Sequence, residues 1–164
     1  VGFHRGVSES VGDNLPTYTA RVTAIRAILS KHVTVDGLVQ NNRLANPILP
    51  LDCLAASWGA DMAATPTLTV AIHPVDDFAG EVEELRYGAG LTRGTYEVER
   101  TEPDEFVLVQ GQLSSVRVVV GHCEAYLSHR DGSPEKLVEA AVEIARTVGY
   151  APYIDDYEPP PERR

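Results

Sequence analysis

The sequence predicts one α+β domain: a mostly antiparallel sheet of four or five strands with two main helices packed on it. Three observations carry this. Tyr18, Val22, Ile25 and Leu29 recur at helical spacing near the start. Short alternating apolar segments follow one another between residues 67 and 127. A punctuated helical pattern runs from Ser133 to Gly149. The length of 164 residues is that of a single domain, and 43% apolar with 23% charged residues is an ordinary globular composition, which excludes a disordered chain. No repeat divides the chain. It reads as an irregular arm over 1–13, one α+β domain over 14–149 and an extended Tyr/Pro-rich tail over 150–164.

In the first helix Asp13 or Asn14 is placed to cap, Pro16 suits the first turn, and Ile28 widens the apolar stripe. Arg21, Arg26 and Lys31 fall off that stripe and read as a solvated face. Val33–Val35 is extended and ends at an Asp36-Gly37 turn, and a loop with Pro47 and Pro50 follows. Asp52 is a candidate cap for a second, shorter helix reaching Ala64, with Leu54, Trp58 and Met62 on one face and Gly59 weakening its middle. Residues 67–73 alternate as a half-buried strand, Leu68, Val70 and Ile72 against Thr67, Thr69 and His73. Glu81–Tyr87 fits either a strand or one or two helical turns, and Gly88, Gly90 and Gly94 read as a connection.

Residues 95–100 and 106–110 form a hairpin around Pro103. Val116–Val120 is apolar on both faces, which predicts a central strand, continued past a kink at Gly121 through Tyr126 and Leu127. Ser133-Pro134-Glu135 opens the last helix, Leu137, Ala141, Ile144 and Val148 form its buried stripe, and Gly149 stops it.

A net charge of −10 disfavours nucleic acid held through phosphates and an anionic membrane surface. No apolar run reaches the ~20 residues of a membrane span. Cys53 and Cys123 are expected as free thiols, since no other feature marks an oxidising compartment. His122, Cys123 and His129, with Glu124 beside them, invite a metal reading. Neighbours on a strand point apart, however, and Cys53 or His73 would have to arrive from elsewhere, so no metal or other cofactor is expected. Cys53 after Asp52 has the better setting for a reactive thiol, yet both cysteines read as small buried side chains. The acidic pairs Asp76-Asp77, Glu83-Glu84 and Asp155-Asp156 lie in polar stretches and read as solvated. No P-loop, nucleophile elbow or His-Glu-x-x-His motif is present, and no catalytic residue is assigned. The tail offers Tyr150, Tyr153, Ile154 and Tyr157 on an extended, proline-stiffened segment, a candidate interface.

The order of parts resembles small tail-terminator or head-to-tail joining proteins of long-tailed bacteriophages. The resemblance rests on the helix over Val22–Leu29, the loop over Val33–Pro50, and the closing strand, polar loop and helix over Val116–Val148. It implies a structural virion protein, assembled in the host cytoplasm, that binds copies of itself and other virion proteins, forms a ring and has no catalytic residues. The chain is similar also to secreted actinobacterial sensor or ligand-binding domains, which would imply a cell-surface location, a Cys53–Cys123 disulfide and a ligand groove. A small thiol enzyme is the third class.

Overall fold

The computed structural model describes residues 15–43, 53–90, 95–99, 104–110, 115–130 and 132–158. The elements are α1 (Tyr18–His32), β1 (Val39–Gln40), β2 (Leu54–Gly59), β3 (Leu68–Pro74), α2 (Phe78–Gly90), β4 (Thr95–Glu99), β5 (Glu105–Gln110), β6 (Ser115–Val120), β7 (Cys123–His129) and α3 (Pro134–Thr147). The class is α+β, as expected. All seven strands form one antiparallel sheet in the order β1-β2-β3-β7-β6-β5-β4. The sheet is larger than the expected four or five strands, and three helices are present among the described residues where two were expected.

Both additions have a physical cause. Leu54, Trp58 and Met62 fit one face of a helix, but Leu54, Ala56 and Trp58 fit one face of a strand equally well. The strand prevails because both neighbours pair with it, β1 on one side and β3 on the other. Leu54, Ala56 and Trp58 are buried while Met62 is exposed. Gly59 is then a strand residue, and a Cβ there would sit 2.6 Å from the Asn41 side-chain nitrogen. Its cap candidate Asp52 lies outside the described residues, as do Asp13 and Asn14. The ambiguous Glu81–Tyr87 segment is helical, and α2 runs through Gly88 to Gly90.

The sheet has two unequal faces. On one, the alternating residues Leu68, Val70 and Ile72 of β3, Val116, Val118 and Val120 of β6, and Cys123, Ala125 and Leu127 of β7 meet α1 and α3 in the main core. The helix α3 lies across β6 and β7, with α1 beside it. Its stripe is the expected one, since Leu137, Ala141, Ile144 and Val148 are all buried. Ser133 is its N-cap, and Gly149 takes φ +62° just beyond its end. Glu143 of α3 binds Lys31 and His32 at the end of α1, fixing the two helices side by side.

On the opposite face α2 covers only part of the sheet. Val82, with Phe78 and Leu85 beside it, packs on Phe106, Leu108 and Val119, so α2 lies over the β4–β6 half. The β2–β3–β7 half of this face has no helix over it among the described residues.

Three further expectations change. Gly121 does not kink a continuing strand: with φ +57° it opens a two-residue turn, and the chain reverses from β6 into β7. The middle place in the sheet therefore belongs to β7, with β6 beside it. The α1 cap is Thr17, whose hydroxyl accepts from the Ala20 amide at 3.2 Å. Finally, Arg21 is buried rather than solvated, because the tail returns over that side of α1 and brings Tyr150 and Tyr153 near it.

Replacing Ile144 by Ala is expected to cost ~2–5 kcal/mol, since its side chain is fully enclosed between α3 and the sheet. Glu143→Ala removes only a surface bridge and is expected to cost at most ~1 kcal/mol. Urea denaturation of the two variants measures the difference. Equal losses would place the wrong face of α3 against the core.

Candidate functional site

The uncovered half of the second face is a shallow groove of about 390 Å³, lined by Cys53, Ala55, Thr69, Ala71, His73, Arg117, Glu124 and Tyr126 among others. Strand alternation produces it. Leu54 and Ala56, Val70 and Ile72, and Cys123 and Ala125 turn toward the helices, so the residues between them turn outward. Those outward residues on β2 and β3 are small, Ala55, Thr69 and Ala71, which leaves a hollow floor.

At one end of the floor stands a charged cluster. Glu124 on β7 pairs in register with His73 on β3, and the His73 Nε2 lies 3.1 Å from the Glu124 Oε2. Arg117 on β6 donates through Nη1 to the same oxygen at 3.0 Å, and its guanidinium lies over the Tyr126 ring at 5.1 Å. The two partners are partly exposed, 39% for Arg117 and 32% for His73, whereas the Glu124 side chain is only 2% exposed. The carboxylate is thus the buried base of the cluster and the basic groups are what solvent meets.

Glu124 is the most perturbed acid of the site. Burial pushes its pKa up from the ordinary 4.5 to about 7; Arg117 opposes the shift, and the neighbouring Glu81 carboxyl at the start of α2 adds to it. The Oε1 of Glu124 is buried with no hydrogen-bond donor among the described residues. A proton on that carboxyl satisfies it and converts the Glu81 contact from repulsion into a hydrogen bond.

The residues singled out in the sequence are distributed differently. His122 sits in the β6–β7 turn and is exposed, its Nδ1 at 3.0 Å from the Val75 carbonyl. Cys123 is buried in the helix-side core with its thiol pushed up to about 12 by burial, so it stays protonated at neutral pH. His129 ends β7, buried, with Nε2 at 3.1 Å from the Thr34 carbonyl. Among the described residues no group of three or more His, Cys, Asp or Glu is placed to hold a metal. Neither cysteine is in a disulfide. Cys53, just before β2, adjoins the groove and Cys123 lies in the core on the other face, with β3 between β2 and β7. A disulfide would require one of them to change faces. The pairs Asp76-Asp77, Glu83-Glu84 and Asp155-Asp156 are exposed, as read from the sequence.

The described part of the tail lies on its own domain. Ile154 exchanges backbone hydrogen bonds with Pro16 and Tyr18 at 2.8 and 2.9 Å, a parallel bridge beside Thr17. Tyr153 and Tyr157 pack against Tyr18 with ring centroids 5.9 and 5.5 Å away, and the Tyr153 hydroxyl donates to the Cys53 carbonyl at 3.0 Å. Asp156 accepts from the Thr19 amide at 2.9 Å, and Tyr150 is partly buried on the same core. Of the four tail residues, Ile154 alone presents a largely exposed side chain.

A second, wider hollow of about 700 Å³ lies between the end of α1 and the start of α3, bordered by Lys31, His32, Thr34, His129, Ser133 and Lys136. It is broad and polar, and His129 on its wall is already engaged by Thr34.

Residues 17–162 match the model of a family described as a domain of unknown function, DUF7956. The chain belongs to the DUF7956 family. The match spans every described element and runs into the tail, so the folded-back tail lies within the family's own bounds. No curated protein and no solved structure matches the chain.

In the sequence Glu124 stands out only as a possible metal ligand and His73 as that or an outward strand residue, and nothing there brings the two together. The available signal was a glutamate inside an apolar strand whose neighbours are buried. A buried acid demands a partner, although the sequence does not say which one.

The raised pKa has a consequence for stability. Between pH 4.5 and about 7 the folded chain keeps a proton on Glu124 that the unfolded chain has released. The associated stabilisation is complete below the lower value and is lost as pH rises through the upper one. The stability difference between the wild type and Glu124→Gln, from denaturant melts, is expected to fall across this window and level off above it. A difference that stays constant or grows with pH would contradict the assignment.

Proposed function

We propose that this domain binds a small ligand on the uncovered half of its sheet, and that its role is recognition rather than catalysis. The observation that carries this reading is the floor of Ala55, Thr69 and Ala71 beside a fixed polar cluster. An apolar hollow with a few oriented polar groups is the usual form of a small-molecule site. Filling the floor with larger side chains would bury more surface, so the small residues need a reason, and a ligand supplies one. The reading agrees with the groove implied by the sensor or ligand-binding resemblance, without the disulfide that resemblance carried.

An assembly role, as in a virion ring, is the second reading, and one observation favours it. Strand β4 closes the sheet, bonded to β5 on one side and to no other strand among the described residues. An edge of this kind is where another subunit could add a strand. In this reading the partners are copies of the chain and other virion proteins, and the tail supports the domain that carries the edge.

A fragment screen followed by amide chemical shifts separates the two. Hits are expected to cluster on β2, β3 and β7, and Ala71→Trp, which fills the hollow from a half-buried position, is expected to abolish them while circular dichroism stays unchanged. Hits confined to other surfaces, or surviving Ala71→Trp, would overturn the groove. Native mass measured over a range of concentrations tests the second reading: a single closed oligomer favours assembly, and a monomer that stays monomeric when mixed with virion components removes it.

A further inference from the structure

The groove reading leaves the ligand's chemistry open, and the cluster at its end narrows it. Arg117 uses Nη1 on Glu124 and the face of its guanidinium on Tyr126, and no other acceptor contacts it among the described residues. The group is therefore held flat at two places, by a buried carboxylate and by a ring, with the rest of its N–H fork unused. Its side chain is 39% exposed, and it borders the hollow. A planar guanidinium fixed in this way matches a carboxylate by paired N–H···O bonds. His73, also held by Glu124 and also on the lining, adds a second polar edge on the neighbouring strand.

The charge of the surroundings decides which anion fits. Glu124 sits directly behind Arg117, Glu81 stands beside Glu124, and the whole chain carries −10. A doubly charged phosphate would meet these acids with Arg117 as the sole arginine or lysine among the described lining residues to offset them. A single carboxylate asks for no more than the Arg117 fork. The floor beyond the cluster is Ala55, Thr69 and Ala71, walled by the Tyr126 ring, which suits a flat or compact apolar body. We propose that the groove binds small organic monocarboxylates with a flat apolar body, the carboxylate on the Arg117 fork and the body over Ala55 and Ala71. This inference rests on the groove being the binding site.

The test uses the intact chain and two isosteric probes, benzoate and benzamide, titrated while amide chemical shifts are followed. Benzoate is expected to move the amides around His73, Glu124 and Tyr126 and to bind about tenfold more tightly than benzamide. A charge-assisted pair commonly exceeds a neutral one by that much. In Arg117→Gln the preference is expected to vanish, with both probes binding alike. Because Gln removes a partner of buried Glu124, Arg117→Lys serves as the second variant: it keeps the pairing charge and loses the planar fork, and is expected to retain only part of the preference. Equal binding of benzoate and benzamide by the wild type, or an undiminished preference in both variants, would overturn the carboxylate assignment while leaving the groove in place. If neither probe moves a groove amide, the carboxylate assignment falls, and a fragment screen equally silent at those amides takes the groove with it. Phosphate competing better than benzoate would overturn the choice of monocarboxylate.

Discussion

The structure depends on one imbalance: a seven-stranded sheet has two faces to cover, and the three described helices do not suffice. The helices α1 and α3 lie side by side and close one face, so every second residue of β3, β6 and β7 is apolar and buried there. With a single helix left for the other face, α2 protects the β4–β6 half and ends at its border. The remaining strands cope with exposure through small side chains on β2 and β3. At the border of the covered half, Glu124 meets Arg117 and His73 and so ties β7, β6 and β3 together.

This border explains why a carboxylate can be buried at all. An isolated charge in that position would cost several kcal/mol, and Arg117, against burial and the neighbouring Glu81, brings the cost down to a shifted proton equilibrium. The same arrangement fixes Arg117 in a single pose, which a flexible surface arginine would lack. The tail acts in a comparable way on the helix face. It covers Arg21 and packs two tyrosines at a tilt against Tyr18, and Tyr18 in turn donates to the Ala55 carbonyl at 2.6 Å, so the end of the chain braces the strand that floors the groove.

Much of this was legible in the sequence because it follows from local periodicity. The apolar stripes of α1 and α3, the alternation of Leu68, Val70 and Ile72, and the antiparallel pairing of β4 with β5 each needed only a few adjacent residues. What was hidden has a common cause. Ala55 faces the groove while Ser57 and Gly59 lie buried under Asn41, so all three are small, and small residues blur the difference between a period of two and a period of 3.6. Hence β2 read as a helix. Gly88 and Gly90 disguised the end of α2 in the same manner. Glu124 was unremarkable as a letter; its significance comes from His73 and Glu81, both distant along the chain and adjacent only after the sheet forms. Arg21 reads as a surface residue until the tail is laid over it.

The two-faced sheet makes its plainest statement about the cysteines, one beside the open groove and the other sealed under the helices. Alkylation of the native, non-reduced protein, followed by mass spectrometry of each cysteine peptide over time, measures that difference directly. The account predicts that Cys53 is modified readily in the folded state, and that Cys123 reacts only as fast as the whole domain unfolds. Equal rates at the two positions, or no thiol to modify at either, would contradict it.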